Sequence, residues 1–306
     1  MKNGFPEKIT IREVGPREGF QNFKTVVPTE SKLELIESLS QSGLREIEIT
    51  SFVRPDKVPQ LADAEELVSR LKPVKGVRYS ALYLNTVGFK RCVATGKLNT
   101  KGWLYTSASE QFLKANSNTT IEAALNTIPE WISLFSQSRA PLHGLMISNS
   151  FGCSYQGAIS SSTVADLVSR YLNCLSESNS QLKEICLADT VGMANPSTIE
   201  ACILALEPFG IPISLHLHDT RGLGLTNAYV GLRLGVSTFE SSVGGIGGCP
   251  FTPGAAGNIA TEDLVYLCNS LGIETGVDLA KLKSSARLCA SIMGCSLPGR
   301  VYKTEI

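Results

Sequence analysis

Hydrophobic and polar positions along the chain alternate between two periods. Short runs rich in β-branched residues read as strands at Ile9–Val14, Glu46–Thr50, Val77–Leu82, Gly102–Tyr105, Gly144–Ile147, Glu184–Ala188, Ile213–Leu217 and Thr238–Ser242. Most of them are separated by stretches of helical spacing that end in a glycine. Between the first two strands, Leu33, Leu35, Ile36 and Leu39 gather on one face of a helix predicted over Thr29–Leu39. Pro28 and Thr29 supply its start signal and Gly43 its stop. The unit recurs about every 30 to 40 residues, the length of a βα pair, and eight such pairs close a (β/α)8 TIM barrel of the α/β class. An open doubly wound sheet competes with this reading, although no GxGxxG follows the first strand, which weakens its dinucleotide-binding form.

Two further helical patterns follow the eighth strand, Thr261–Leu271 and Asp278–Met293. The second spaces Leu279, Leu282, Ala286, Cys289 and Met293 by threes and fours behind an Asp278 cap. Residues 1–275 are therefore expected to form the barrel and residues 276–306 a helical extension packed on it.

Composition narrows the partners. In 306 residues, 28 basic side chains balance 28 acidic ones with no lysine or arginine block, so neither nucleic acid nor a membrane surface is expected. The most apolar stretch, Ala201–Leu217, is interrupted by Glu207, Pro208 and Pro212, and the first six residues lack a secretory pattern; a cytoplasmic location follows as an expectation. Nine cysteines without a CxxC pair, an odd number, suggest reduced thiols serving as small apolar fillers.

Polar residues collect just past almost every predicted strand end, where barrel enzymes place their active sites. Arg17, Glu18 and Gln21 follow the first strand; Glu48, Thr50 and Ser51 lie on or after the second; Asn85, Ser107, Asn149 with Cys153, and Asp189 follow the third to the sixth. The sharpest feature is Ser214-Leu215-His216-Leu217-His218-Asp219, which holds two of the three histidines in the chain. Residues two apart on a strand share a face, so both imidazoles can converge on one ion, or they can form a structural hydrogen-bonded pair. Zn²⁺, Mn²⁺ and Fe²⁺ all accept imidazole, whereas oxygen ligands pull selection toward Mg²⁺ or Mn²⁺. Glu18 and Asn258 could supply such oxygens; a solvated loop charge is the plainer reading of Glu18. The four glycines around Cys249 in Gly244–Phe251 suit either a mobile flap over a site or a flexible surface loop.

Taken together, Val14-Gly15-Pro16-Arg17-Glu18-Gly19-Phe20-Gln21-Asn22, Ile47–Val53 with Val58-Pro59-Gln60, His216-Leu217-His218-Asp219-Thr220, and Gly244–Asn258 followed by Ala260-Thr261-Glu262-Asp263-Leu264 resemble the hydroxymethylglutaryl-CoA lyase family of metal-dependent TIM-barrel lyases. The resemblance runs from about Ile9 to Leu279 in the same order. It implies cleavage of 3-hydroxy-3-methylglutaryl-CoA to acetyl-CoA and acetoacetate, as in leucine degradation. It implies Glu18, His216, His218 and Asn258 as ligands of Mg²⁺ or Mn²⁺, with Zn²⁺ open. Arg17 would neutralise the thioester enolate; Asp189, Glu48, Cys249 and His216 would be catalytic; Gln21, Ser51 and Cys153 would line the acyl-CoA pocket. A homodimer is carried as the assembly to test. The family motif normally reads Arg-Asp, and here Glu18 follows Arg17, a side chain longer by about 1.5 Å. Lyases for citramalyl-CoA or longer-chain hydroxyglutaryl-CoA therefore stay open, as does a Claisen-type synthase. A catalytically inert metal scaffold is the alternative outside enzymology.

Overall fold

The computed structural model describes residues 4–248 and 257–305. Eight principal strands follow one another: β1 (Thr10–Glu13), β2 (Glu46–Ser51), β3 (Arg78–Leu82), β4 (Gly102–Ser107), β5 (Leu142–Ser148), β6 (Glu184–Ala188), β7 (Ile213–His216) and β8 (Thr238–Ser241). Helices intervene, so the order is that of a (β/α)8 chain, and every strand end lies within about two residues of its expected position. A small antiparallel hairpin, Gly152–Cys153 with Gly157–Ala158, is an addition after β5 that the hydrophobic pattern did not announce. Two compact units emerge, residues 1–100 with 238–306, and residues 101–237.

In the first unit the strand order is β3-β2-β1-β8, and each pair is parallel. Ile11 pairs with Phe239 and Glu13 with Ser241, which sets the first strand beside the eighth. The β2–β3 register slips between Glu48 and Thr50. Such a bulge re-aims a side chain at the end of a strand. Helix Thr29–Ser40 buries Leu35, Ile36 and Leu39. Leu33, expected on the same face, is only half-buried, and Lys32 occupies a buried position instead. Its ammonium is satisfied there by Asp63 Oδ1 and the Gln60 carbonyl, both at 2.6 Å. Helix Leu279–Met293 packs on helix Thr29–Ser40, where the Ser285 and Ser38 hydroxyls lie 2.7 Å apart, and it buries Leu282, Ala286 and Cys289; the Asp278 carboxylate accepts from the Lys281 amide as the expected cap.

In the second unit the order is β4-β5-β6-β7, again parallel throughout. All five residues of β6 are buried, as befits a strand covered on both faces. Helix Ser161–Glu177 turns Val164, Leu167, Val168, Tyr171 and Leu175 inward at spacings of three and four. It packs on helix Pro196–Leu206, whose start is fixed by a capping box between Asn195 and Thr198. Ala188 pairs with His216, and the Asp189 amide then donates to the His216 carbonyl at 2.8 Å. That bond carries the ladder one step past the strand ends.

All eight described cysteines are free, six of them buried, in keeping with a role as packing residues. Among the described residues no helix is long and apolar enough to cross a membrane.

Candidate functional site

In the first unit β1 runs almost directly into a short helix, Gly15–Gln21, with Pro16 in its first turn. Arg17, Glu18 and Gln21, expected just past the first strand, are there and lie on this helix. Proline is compatible with the first helical turn, where its missing N–H has no partner to lose. Arg17 is 9% exposed; its Nε donates to Glu48 Oε1 at 2.5 Å and its Nη2 lies 3.2 Å from Glu18 Oε2. Burial works against the guanidinium charge, but Glu48, Glu18 and Glu240 outweigh it and raise the pKa of Arg17 further above its ordinary value. Burial pushes the Glu48 carboxyl up, with Arg17 pulling the other way. The bulged strand β2 thus supplies the carboxylate that holds Arg17 in place.

Asn258 joins Glu18 in the first unit through backbone geometry. Gly247 has φ +95°, and a Cβ there would fall 2.7 Å from Asn258 Nδ2 and 3.0 Å from Glu18 Cγ. A residue without a side chain is what allows Glu18 and Asn258 to flank the same backbone segment. Asn258 Nδ2 donates to the Ile246 carbonyl at 3.1 Å, while its Oδ1 is buried with no hydrogen-bond partner. A buried amide oxygen without a donor is costly, and a bound cation is one group that would satisfy it. Gln21 Oε1 and Ser51 Oγ are likewise buried polar atoms without a partner.

In the second unit His216 closes β7 and His218 follows two residues on. Both are buried, with their Nε2 atoms 3.2 Å apart and ring centroids 5.1 Å apart. The period-two expectation is met. Two nitrogens at about 2.1 Å from one ion lie about 3.0 Å apart at a right angle and about 3.4 Å apart at the tetrahedral angle. The observed spacing fits shared ligation in either geometry, so the imidazoles accommodate a metal without choosing which. Asp189, 1% exposed, accepts from the Met193 and Ala194 amides through Oδ1 at 2.8 and 3.1 Å, leaving Oδ2 buried with no partner. Burial raises its pKa, opposed by those amides and by the two histidines. One oxygen is fixed and the other is available for a proton.

The remaining sequence candidates have these local partners. Cys153 is buried in the hairpin, where its sulfur accepts from the Tyr155 amide at 3.4 Å. Asn85 caps helix Thr86–Ala94 by accepting from the Gly88 amide. Ser107 Oγ donates to Asn149 Oδ1 at 3.0 Å, helping to hold Asn149 at φ +56°. Cys249 lies outside the described residues. Sequence reasoning did not single out Glu13 or Glu240, both buried carboxyls on strands of the first unit. The available signal for Glu13 was its place in the same alternation phase as Ile11.

A family model described as HMGL-like matches residues 8–289. A chicken (Gallus gallus) mitochondrial hydroxymethylglutaryl-CoA lyase is 42% identical over 283 residues, covering 91% of this chain and 91% of its own. A mouse (Mus musculus) cytoplasmic 3-hydroxy-3-methylglutaryl-CoA lyase is 39% identical, covering 94% of this chain and 82% of its own. Among solved structures, the HMG-CoA lyase of Bacillus subtilis superposes with a TM-score of 0.89 at 36% identity over 98% of both chains. An Acinetobacter baumannii HMG-CoA lyase, determined with coenzyme A and 3-methylmalate, gives 0.88 at 35% identity over 100% of this chain and 97% of its own.

Proposed function

The chain belongs to the HMGL-like family, and on that premise we propose that it is a hydroxymethylglutaryl-CoA lyase, a carbon–carbon lyase that cleaves 3-hydroxy-3-methylglutaryl-CoA to acetyl-CoA and acetoacetate. The observation that carries this reading is the 42% identity to a lyase of that name across nine tenths of both chains. The cofactor is a divalent cation, Mg²⁺ or Mn²⁺, held by His216 and His218 with oxygens from Glu18 and Asn258. The unpartnered Asn258 Oδ1 and the 3.2 Å spacing of the imidazole nitrogens support that ligand set.

Bound there, the cation supplies Lewis-acid polarisation of the substrate hydroxyl oxygen. The side chains do the rest. Asp189 takes the hydroxyl proton at Oδ2, and burial, which raises its pKa, makes it a stronger base than an ordinary aspartate. The oxygen's electrons form the acetoacetate carbonyl as the bond to the thioester α-carbon breaks. Arg17, permanently charged and fixed by Glu48, receives the negative charge that develops on the departing thioester enolate. Cys249 or a histidine returns a proton to the α-carbon. Gln21, Ser51 and Cys153 line the acyl-CoA pocket, and Glu48 acts through Arg17.

A second reading, a lyase for a related 3-hydroxyacyl-CoA, draws on Glu18 standing where the family motif carries aspartate. Residues 276–306 serve as an extension packed on the catalytic domain, the working location is the cytoplasm and the working assembly is a homodimer. Relatives carry both cytoplasmic and mitochondrial names. The test is incubation of metal-stripped and Mn²⁺- or Mg²⁺-reloaded protein with hydroxymethylglutaryl-CoA, citramalyl-CoA and longer 3-hydroxyacyl-CoAs, followed by product identification. Acetoacetate released only after reloading supports the reading. Cleavage of another member of the panel in preference moves the substrate to the second one.

A further inference from the structure

Three segments of the first unit, one bearing candidate site residues and two adjoining them in the chain, are hydrogen-bonded to one carboxyl group. Glu13 is fully buried at the end of β1. Its Oε1 accepts from the Gly15 amide and from the Val243 amide, each at 2.8 Å, and its Oε2 accepts from the Thr261 hydroxyl at 2.6 Å. Gly15 opens the helix that bears Arg17, Glu18 and Gln21. Val243 opens the turn leading into Gly247. Thr261 starts the helix that follows Asn258.

The contacts leave little slack. A Cβ at Gly15 would fall 2.5 Å from Glu13 Oε1, so the amide can approach the carboxyl only because residue 15 is glycine. Thr261 Oγ1 also lies 2.9 Å from Ser241 Oγ, which ties the cluster to the end of β8. Helix Thr261–Ser270 adds a second clamp, in which Glu262 Oε2 accepts from the Gly244 amide at 3.0 Å. Backbone bonds already join two of these segments, the Ser242 amide donating to the Ile259 carbonyl at 3.1 Å and the Thr261 amide to the Ser242 carbonyl at 3.0 Å, so what Glu13 adds is the tie from both of them to the start of the Arg17 helix.

Resting on the lyase reading above, we propose that Glu13 is a positioning residue for the reaction, holding the Arg17–Glu18 helix and the Asn258 segment in mutual register so that their oxygens meet one cation. Glu13 itself touches neither the reacting atoms nor the metal. Its function requires acceptor geometry more than charge. A glutamine can reproduce that geometry, with the amide oxygen accepting both backbone N–H groups and the amide nitrogen donating to Thr261 Oγ1, whose proton then turns to Ser241 Oγ.

Three variants test this, read by Mn²⁺ affinity from the electron paramagnetic resonance of free Mn²⁺ and by kcat and KM for hydroxymethylglutaryl-CoA. Glu13→Ala should weaken Mn²⁺ binding by about tenfold or more and lower kcat at saturating Mn²⁺ with KM nearly unchanged, in the range seen when groups orienting metal ligands are lost. Glu13→Gln should restore both to within about threefold of the parent, as an acceptor of the same shape would. Should Glu13→Ala not fold, Thr261→Val removes one of the three donors at nearly constant volume and should weaken Mn²⁺ binding several-fold. Parental Mn²⁺ affinity in a folded Glu13→Ala or Thr261→Val protein overturns the proposal, as does a Glu13→Gln protein as impaired as the alanine variant. If the parent protein itself neither binds Mn²⁺ nor releases acetoacetate, the lyase reading falls and this inference with it. A parent that does both beside unaffected variants overturns the positioning role alone.

Discussion

In residues 1–100 and 238–306, one guanidinium is buried against carboxyl groups: Arg17 bonds Glu48, neighbours Glu18 and feels Glu240. In residues 101–237 the corresponding strand ends carry two imidazoles facing each other through Nε2, with one aspartate anchored to backbone amides. The first arrangement locks charge. Arg17 cannot give up its proton, and its pKa is driven further upward by the acids around it. The second holds lone pairs and an acid whose protonation can change. Under the proposed mechanism, charge stabilisation and proton transfer fall to different parts of the chain.

Two substitutions break this contrast most strongly, and in opposite senses. His216→Ala removes half of the imidazole pair and should raise the Mn²⁺ dissociation constant by about 100-fold or more, with acetoacetate formation falling to background, since losing a direct ligand costs at least as much as losing an orienting partner. Arg17→Gln should keep stoichiometric Mn²⁺ while kcat falls by about 10³-fold, the scale of a lost oxyanion-stabilising donor. Metal analysis beside product assays separates them. Stoichiometric tight Mn²⁺ in the histidine variant would reject the ligand set, and metal loss with unchanged turnover in the arginine variant would reject the charge-stabilising role.

Asp189→Asn sharpens the same contrast on the proton-transfer side. The isostere keeps an oxygen for the Met193 and Ala194 amides but cannot accept the hydroxyl proton, so kcat should fall by about 10²-fold or more. The sign of the pH effect follows from burial. A base with an upward-shifted pKa is already protonated at a pH where an ordinary aspartate is ionised, so parental activity should decline on acidification before pH 4 is reached. That limb should vanish from the residual activity of the asparagine variant. Its persistence with the same midpoint would place the base elsewhere.

The strands were legible because their signal is local. A run such as Glu184–Ala188 declares itself by apolar continuity, and the HxH pair by period two, so both could be read before any packing was known. The helix Gly15–Gln21 was not legible. Glycines at 15 and 19 argue against a helix by propensity, and only packing shows why they are there: a Cβ at Gly19 would fall 2.2 Å from Ile246. Glu13 was hidden for a related reason. A carboxyl on a strand reads as solvent-facing until its partners are seen, and those partners, Val243 and Thr261, lie 230 and 248 positions away. Asn258 was named as a possible oxygen donor by chemistry alone, since an asparagine beyond a glycine-rich loop carries no periodicity of its own. Distant hydrogen bonding, unlike hydrophobic period, leaves little trace in local sequence.

The smallest effect expected is on stability, and it too sets one region apart. Burial raises Glu13 to about 7, against its three hydrogen bonds, and raises Glu262 to about 8, against the Gly244 and Glu262 amides; both belong to the first unit. In the unfolded chain these carboxyls return to the ordinary range near 4.5. Below that value both states are protonated and the groups contribute no pH dependence. As pH rises from about 4.5 toward 8, the unfolded chain releases protons that the folded protein retains, so stability declines across this window and levels off above it. The loss is of order 3 kcal/mol for Glu13 alone, and the two groups are not additive because each raises the cost of ionising the other. Urea midpoints of the metal-free protein from pH 5 to 9 should therefore fall as pH rises, then flatten. Glu262→Gln, which cannot ionise, should reduce that slope while leaving the acid-side midpoint nearly in place. A midpoint that climbs between pH 5 and 8 would mean that these carboxyls are ionised at little cost, and that the first unit holds its buried acids by hydrogen bonding strong enough to outweigh desolvation.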